Sequence, residues 1–174
     1  YAKGGNELSN WKYEYRDKIK IQSRRSSITM IRNATPEDVP AIHALIVELA
    51  IYEREPQAVV TTPLSLKSDL FEAQRCHALV AEQDNEIIGF ALYFYAYSTW
   101  KGRTLYLEDL YVKASKRTNG VGQQLFDAVV QIAQKEGVKR MDWQVLSWNQ
   151  PAILFYQKNQ AILDHEWVNG RLYF

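Results

Sequence analysis

The chain has 174 residues, 47% hydrophobic, 24% charged and 13% aromatic, the make-up of one soluble globular domain rather than a fibrous or disordered chain. A chain of this size buries roughly 70% of the surface its unfolded form exposes, so its core needs neither disulfides nor a structural metal. A single cysteine, Cys76, excludes an intramolecular disulfide framework, and three scattered histidines (His43, His77, His165) give no metal-ligand spacing; a reducing, cytoplasmic setting without metal is expected.

The net charge of +1 is unevenly spread. Residues 1–27 carry seven Lys/Arg against three acids and read as a basic N-terminal extension. The remainder, 28–174, holds 14 basic and 17 acidic residues and reads as the folded domain. An acidic body argues against nucleic-acid binding. The longest uncharged apolar run, residues 87–97, is eleven residues long, short of the roughly 18 of a membrane span, and no secretion pattern precedes it. No membrane partner is expected.

In chain order, residues 28–32 read as a first strand. Thr35-Pro36-Glu37-Asp38 then supplies a hydroxyl cap, a proline in the first turn and an acid three residues after the cap, so a helix starts here. Val39, Ile42, Leu45, Ile46, Leu49 and Ala50 recur at helical steps to about Tyr52, with His43 beside that stripe as a structural residue. Thr61-Thr62-Pro63 opens a shorter helix to about Phe71. Residues 77–81 and 87–97 form two antiparallel strands around Asp84-Asn85, and Lys101-Gly102 makes the next turn. Leu105, Leu107, Leu110 and Val112 belong to a fourth strand whose out-of-step spacing places a bulge or change of face near Glu108. After a glycine loop, Leu125, Phe126, Val129, Val130, Ile132 and Ala133 line a helix that stops at Gly137. A strand over 139–145, a helix from Asn149-Gln150-Pro151 to about Lys158, and a strand pair (161–168 and 171–174) across Asn169-Gly170 complete a mixed α/β sheet.

The glycine loop, Lys116-Arg117-Thr118-Asn119-Gly120-Val121-Gly122, would leave bare backbone N–H groups at the positive end of the following helix, beside two cations. That suits a pyrophosphate. It matches neither the P-loop nor the dinucleotide fingerprint, and a glycine turn that merely starts a helix would look the same. Thirty residues on, Asn149 to Tyr156 reads N-Q-P-A-I-L-F-Y.

With both motifs in this order of elements, residues 28–174 resemble the GNAT acetyltransferases. Leu105-Tyr106-Leu107-Glu108-Asp109-Leu110-Tyr111-Val112, Trp100-Lys101-Gly102 and Glu48-Leu49-Ala50-Ile51-Tyr52-Glu53 are similar to the diamine branch, the spermidine/spermine and thialysine enzymes. The resemblance implies a mostly antiparallel central sheet flanked by helices, with acetyl-CoA at splayed strands. It implies that Leu110, Tyr111 and Val112 pair with the pantetheine arm, that Arg117, Thr118, Asn119, Gly120, Val121 and Gly122 line the pyrophosphate, and that Asn149 and Lys158 touch the cofactor. It also implies a homodimer. One departure is Gln160, where the family often has glycine, so the preceding helix is expected to cap differently.

Acetyl transfer needs a neutral amine and a proton donor for the departing thiolate. The family places the tyrosine at the position of Tyr156 near the CoA sulfur, and a phenol with pKa about 10 is protonated at neutral pH. Glu108, at the irregular point of its strand, is the candidate base for the ammonium, acting through water. Tyr52, Glu53, Trp100, Glu108 and Asp109 could line the groove of a cationic substrate. The expectation is an N-acetyltransferase for a small polyamine or lysine-like amine. The alternatives are a peptide, aminoglycoside or amino-acid acceptor, or a non-catalytic acyl-CoA-binding module.

Overall fold

A computed structural model describes residues 28–173. The expected extension 1–27 and Phe174 lie outside the described residues. Five strands form one sheet in sequence order: β1 (Met30–Asn33), β2 (His77–Gln83), β3 (Glu86–Ser98), β4 (Gly102–Val112) and β5 (Met141–Asp142). The first four are antiparallel neighbours; β5 lies parallel to β4. Helices α1 (Val39–Tyr52) and α2 (Pro63–Lys67, continued by a wider turn over Ser68–Glu72) cover one face, and α3 (Val121–Lys135) and α4 (Gln150–Lys158) belong to the other.

The alternation of β-strand side chains splits the core into two layers. Val39, Ile42 and Leu45 of α1 pack with Ala78, Val80, Phe90, Leu92 and Tyr111. Leu125, Phe126 and Val129 of α3 pack with Leu79, Ala91, Leu105, Leu107 and Val112. The start of α1 is fixed to the sheet by Arg32, whose guanidinium meets Asp38 at 2.6 Å and Glu82 at 2.8 Å. Asp38 also accepts from the Thr35 backbone N–H at 2.7 Å, the link expected from that sequence. His43 is structural, its Nε2 bonded to the Thr61 carbonyl at 2.8 Å.

The turn at Asp84-Asn85 has both residues at positive φ (53° and 62°), which matches the twist of a two-residue hairpin. The expected irregularity in β4 is a bulge at Glu108: Leu92 faces Asp109 and Tyr93 faces Leu107, leaving Glu108 without an opposite residue on β3.

Three expectations are corrected. The fifth strand is only Met141–Asp142, not 139–145, because β4 and β5 part after Tyr106↔Asp142 and Trp143 onward has no ladder to join. The strand pair 161–168/171–174 is not formed among the described residues. Asn169 and Gly170 do not take the paired positive φ of a tight hairpin, the short β5 offers no long edge, and Ile162, Trp167, Val168, Leu172 and Tyr173 stay exposed. The end of α4 does not cap differently for lack of glycine: Gln160 itself adopts the left-handed conformation (φ 62°). The Gln160 N–H then reaches the Gln157 carbonyl at 2.9 Å, and the Ala161 N–H reaches that of Tyr156 at 3.0 Å, the bonding of a glycine-type helix stop.

A side chain in that conformation costs about 1 kcal/mol. Gln160→Gly should therefore raise the melting temperature by about 2–4 °C in thermal unfolding. A lower melting temperature would mean that this helix stop carries no strain.

Candidate active site

The parting of β4 and β5 opens a cleft of about 420 Å³. Leu107 and Asp109 to Val112 pair with β3 on one side, but beyond Tyr106 no strand among the described residues pairs with their other edge, which faces the cleft. Leu110, Tyr111 and Val112 line it, as do Arg117, Thr118, Gly120, Val121 and Gly122 of the loop, Asn149, Tyr156 and Lys158 of the α4 region, and Tyr52, Glu53 and Glu108. Three sequence candidates do not line it. Asp109, next to Glu108 at the bulge, is partly buried and is not a lining residue. Asn119 is exposed beside the loop and is not a lining residue, and Trp100, 79% exposed, sits in the β3–β4 turn at the opposite end of β4.

Gly120 opens α3 at φ 77°. A methyl group at Gly120 would meet nothing within 4 Å, and one at Gly122 would meet only Val112 Cγ2 at 3.9 Å, so space stands in front of the helix. The first α3 ladder bond runs from the Gln124 N–H to the Gly120 carbonyl at 3.0 Å, leaving the N–H groups of Val121, Gly122 and Gln123 outside the ladder. With Arg117 and Lys158 on the same cleft, this donor set fits a pyrophosphate. Thr118 is held at φ 70°, unusual for a β-branched residue, with its hydroxyl donating to the Arg117 carbonyl at 2.6 Å.

Tyr156 is buried in an aromatic nest, its ring centroid 4.8 Å from Trp143, 5.2 Å from Phe155 and 5.8 Å from Phe126. Burial, and then the charges of Asp109 and Glu53, push its phenol up to about 12, so it keeps its proton at any physiological pH. Asp109 is pushed up to about 7, chiefly by burial and then by Glu108 and Glu53. Burial also raises Glu53. The bulge thus gathers Glu108 and Asp109 beside Glu53 from the end of α1, near enough that Glu108 and Glu53 raise Asp109 and that Asp109 and Glu53 raise Tyr156. The Arg54 guanidinium, which would oppose that field, lies over the Trp148 ring at 4.6 Å.

Sequence reasoning missed Trp143, Val145, Leu49 and Phe155 as lining residues. Trp143 and Val145 alternate after β5 and could have been read as one face; the stack on Tyr156 comes from the fold alone. Among the described residues no group of His, Cys, Asp and Glu is arranged to hold a metal ion, and no helix is long and apolar enough to cross a membrane. Cys76 is a partly buried free thiol.

Residues 39–161 match the Acetyltransferase (GNAT) family. The chain belongs to that family. Its relatives include thialysine N-epsilon-acetyltransferase of Bos taurus, 38% identical over 75% of this chain and 82% of the relative. Spermidine/spermine N(1)-acetyltransferase-like protein 1 of Homo sapiens is 34% identical over 76% of this chain and 20% of that longer protein. Among solved structures, an aminoglycoside N-acetyltransferase in complex with CoA shares the fold, with a TM-score of 0.70 and 21% identity, covering 85% of this chain and 97% of that one. This protein is a GNAT N-acetyltransferase whose named relatives fall in the diamine branch.

The native fold holds the Asp109 proton up to about pH 7, whereas the unfolded chain releases it near pH 4. The stabilisation from this protonated carboxyl is therefore full below about pH 4 and is lost as pH rises through about 7. Asp109→Asn, which cannot ionise, should gain melting temperature over the parent as pH goes from 4 to 8. A difference that stays flat over this range would show that Asp109 ionises normally.

Proposed function

We propose that this acetyltransferase moves the acetyl group of acetyl-CoA to a primary amine of a small polyamine or lysine-like substrate, by direct attack while both are bound. The observation that carries the reading is a buried phenol, Tyr156, that lines the same cleft as Glu53, Glu108 and the glycine cradle of α3 and keeps its proton at neutral pH.

Acetyl-CoA, when bound, supplies an activated acyl group on a sulfur leaving group. The N–H groups at the start of α3, with Arg117 and Lys158, hold its pyrophosphate. The free edge of Leu110–Val112 offers strand-like hydrogen bonds to the pantetheine amides, and Asn149 lines the same passage. Glu53 and Glu108 on the cleft wall attract the ammonium of the incoming amine, and Asp109 next to them adds to that attraction as it ionises near pH 7. Glu108, on the cleft wall, accepts the ammonium proton through water. The neutral nitrogen attacks the thioester carbonyl, Tyr156 donates its proton to the departing sulfur as the carbon–sulfur bond breaks, and the proton released by the new amide nitrogen restores the phenol, leaving the acetylated amine and free CoA. A homodimer in a reducing cytoplasm completes the reading; the family resemblance supports the first, and the lone free thiol Cys76 suits the second.

The test is release of free CoA from acetyl-CoA with spermidine, spermine, putrescine, lysine, thialysine and an N-terminal peptide. A polyamine or thialysine should turn over, and Tyr156→Phe and Glu108→Gln should each lower kcat by about 10²-fold or more. Both variants should still bind CoA. Turnover of the peptide alone would contradict the substrate assignment, and full activity of Tyr156→Phe would contradict the mechanism.

A further inference from the structure

Four parts of the fold meet at Tyr52, the last residue of α1. Its hydroxyl donates to Asn149 Oδ1 at 2.9 Å, across 97 residues of sequence. The same oxygen accepts the Ala152 backbone N–H at 3.4 Å and so caps the first turn of α4. Because a backbone N–H can only donate, this bond fixes which amide atom of Asn149 faces Tyr52. One side of the Tyr52 ring carries the Arg117 guanidinium, 4.9 Å from its centroid, which also lies 5.1 Å from that of Tyr111 and donates to the Val112 carbonyl at 2.9 Å. Trp148 lies against the Tyr52 ring with centroids 5.8 Å apart. Asn149 is 9% exposed, so this contact is inside the protein wall.

Helix α4 carries Tyr156 and is tied down by side-chain hydrogen bonds at both ends. At its C-terminal end Asn159 and Gln123 of α3 exchange a reciprocal pair, at 2.7 and 3.1 Å. At its N-terminal end the cap residue Asn149 is held by Tyr52. The strand that leads into α4 gives little support, since β5 has left the sheet after Asp142. Beyond the packing of Tyr156 and Phe155, these two ties are what fix the ends of the helix, and Tyr156 lies between them.

We infer that Tyr52 is a positioning residue that acts through Asn149 to hold α4, and with it the Tyr156 phenol, at the working distance from the β4 wall. The inference rests on the proposed role of Tyr156 as proton donor. Tyr52 is thus assigned to the placement of the donor rather than to a contact with the amine. Its neighbour Glu53 belongs to the negative field felt by Tyr156 and Asp109, so one segment at the end of α1 sets both the position and the charge environment of the donor.

The experiment compares the parent protein with Tyr52→Phe, Asn149→Ser and the double variant. Phenylalanine keeps the ring's contacts with Arg117 and Trp148 and removes only the donor. Serine keeps an N-cap acceptor for α4 but is too short to reach Tyr52. Each single change should lower kcat about tenfold or more, since small displacements of a reacting group are costly, and the double change should lose no more than either single one. CoA affinity of Tyr52→Phe should stay within about threefold of the parent while kcat falls. In the CoA complexes, amide hydrogen exchange along α4 should quicken by about tenfold in both single variants, with α3 unchanged. A kcat within about twofold of the parent together with unchanged exchange, or losses that multiply in the double variant, would overturn the inference. Absence of amine turnover by the parent protein would instead count against the proposed function, and exchange along α4 would still decide the role of Tyr52.

Discussion

One broken register in one strand organises this molecule. At Glu108 the β4 ladder carries an extra residue, and the pairing of β4 with β5 has already ended two residues earlier, at Tyr106. A bulge bends its strand and sharpens its twist, so the two strands cannot continue side by side. The gap that results is the cleft. Had β5 continued along β4, the backbone edge of Leu107 to Val112 would be spent on a ladder. Parted, it is free to bind a ligand, and the side chains of both strands become walls.

The same bulge sets the electrostatics. In a regular strand Glu108 and Asp109 would project to opposite faces, one of them into the core. Here Asp109, opposite Leu92, is held where burial and two neighbouring carboxylates raise it to about 7, while Glu108 stays exposed on the cleft wall. Against them stands Tyr156, whose aromatic nest removes water and keeps its proton in place. A phenol that stays protonated at neutral pH, carboxylates that suit a cation, and helix N–H groups with Arg117 and Lys158 that suit an anion all lie on the walls of one cleft.

Much of this was legible in the sequence, and for local reasons. Thr35-Pro36-Glu37-Asp38, Asp84-Asn85 and Asn149-Gln150-Pro151 are governed by turn and cap chemistry that a few neighbouring residues decide, and the structure has them where the pattern puts them. The bulge was readable because Leu107 and Leu110 fall out of step. The length of β5 was not, because D-W-Q-V alternates like a strand while its pairing depends on where β4 turns away. The final segment failed similarly: Asn169-Gly170 is a hairpin signal only if a partner edge exists. Trp100 looked like a groove aromatic, but only the register of the β3–β4 hairpin reveals how far its turn lies from Glu108. The Tyr52–Asn149 bond joins residues 97 apart and has no local signature at all.

The central claim is that the parted strands, with the α3 cradle and Tyr156 on the walls of the cleft between them, form the acetyl-CoA site. A crystal structure of the protein with CoA tests it most directly. The account places the pyrophosphate on the N–H groups of Val121, Gly122 and Gln123 beside Arg117, and the thiol sulfur within hydrogen-bonding reach, about 3–3.5 Å, of the Tyr156 hydroxyl. CoA bound elsewhere, as in the groove between β1 and α3 lined by Arg32 and Asp127, or with its sulfur turned away from Tyr156, would contradict it.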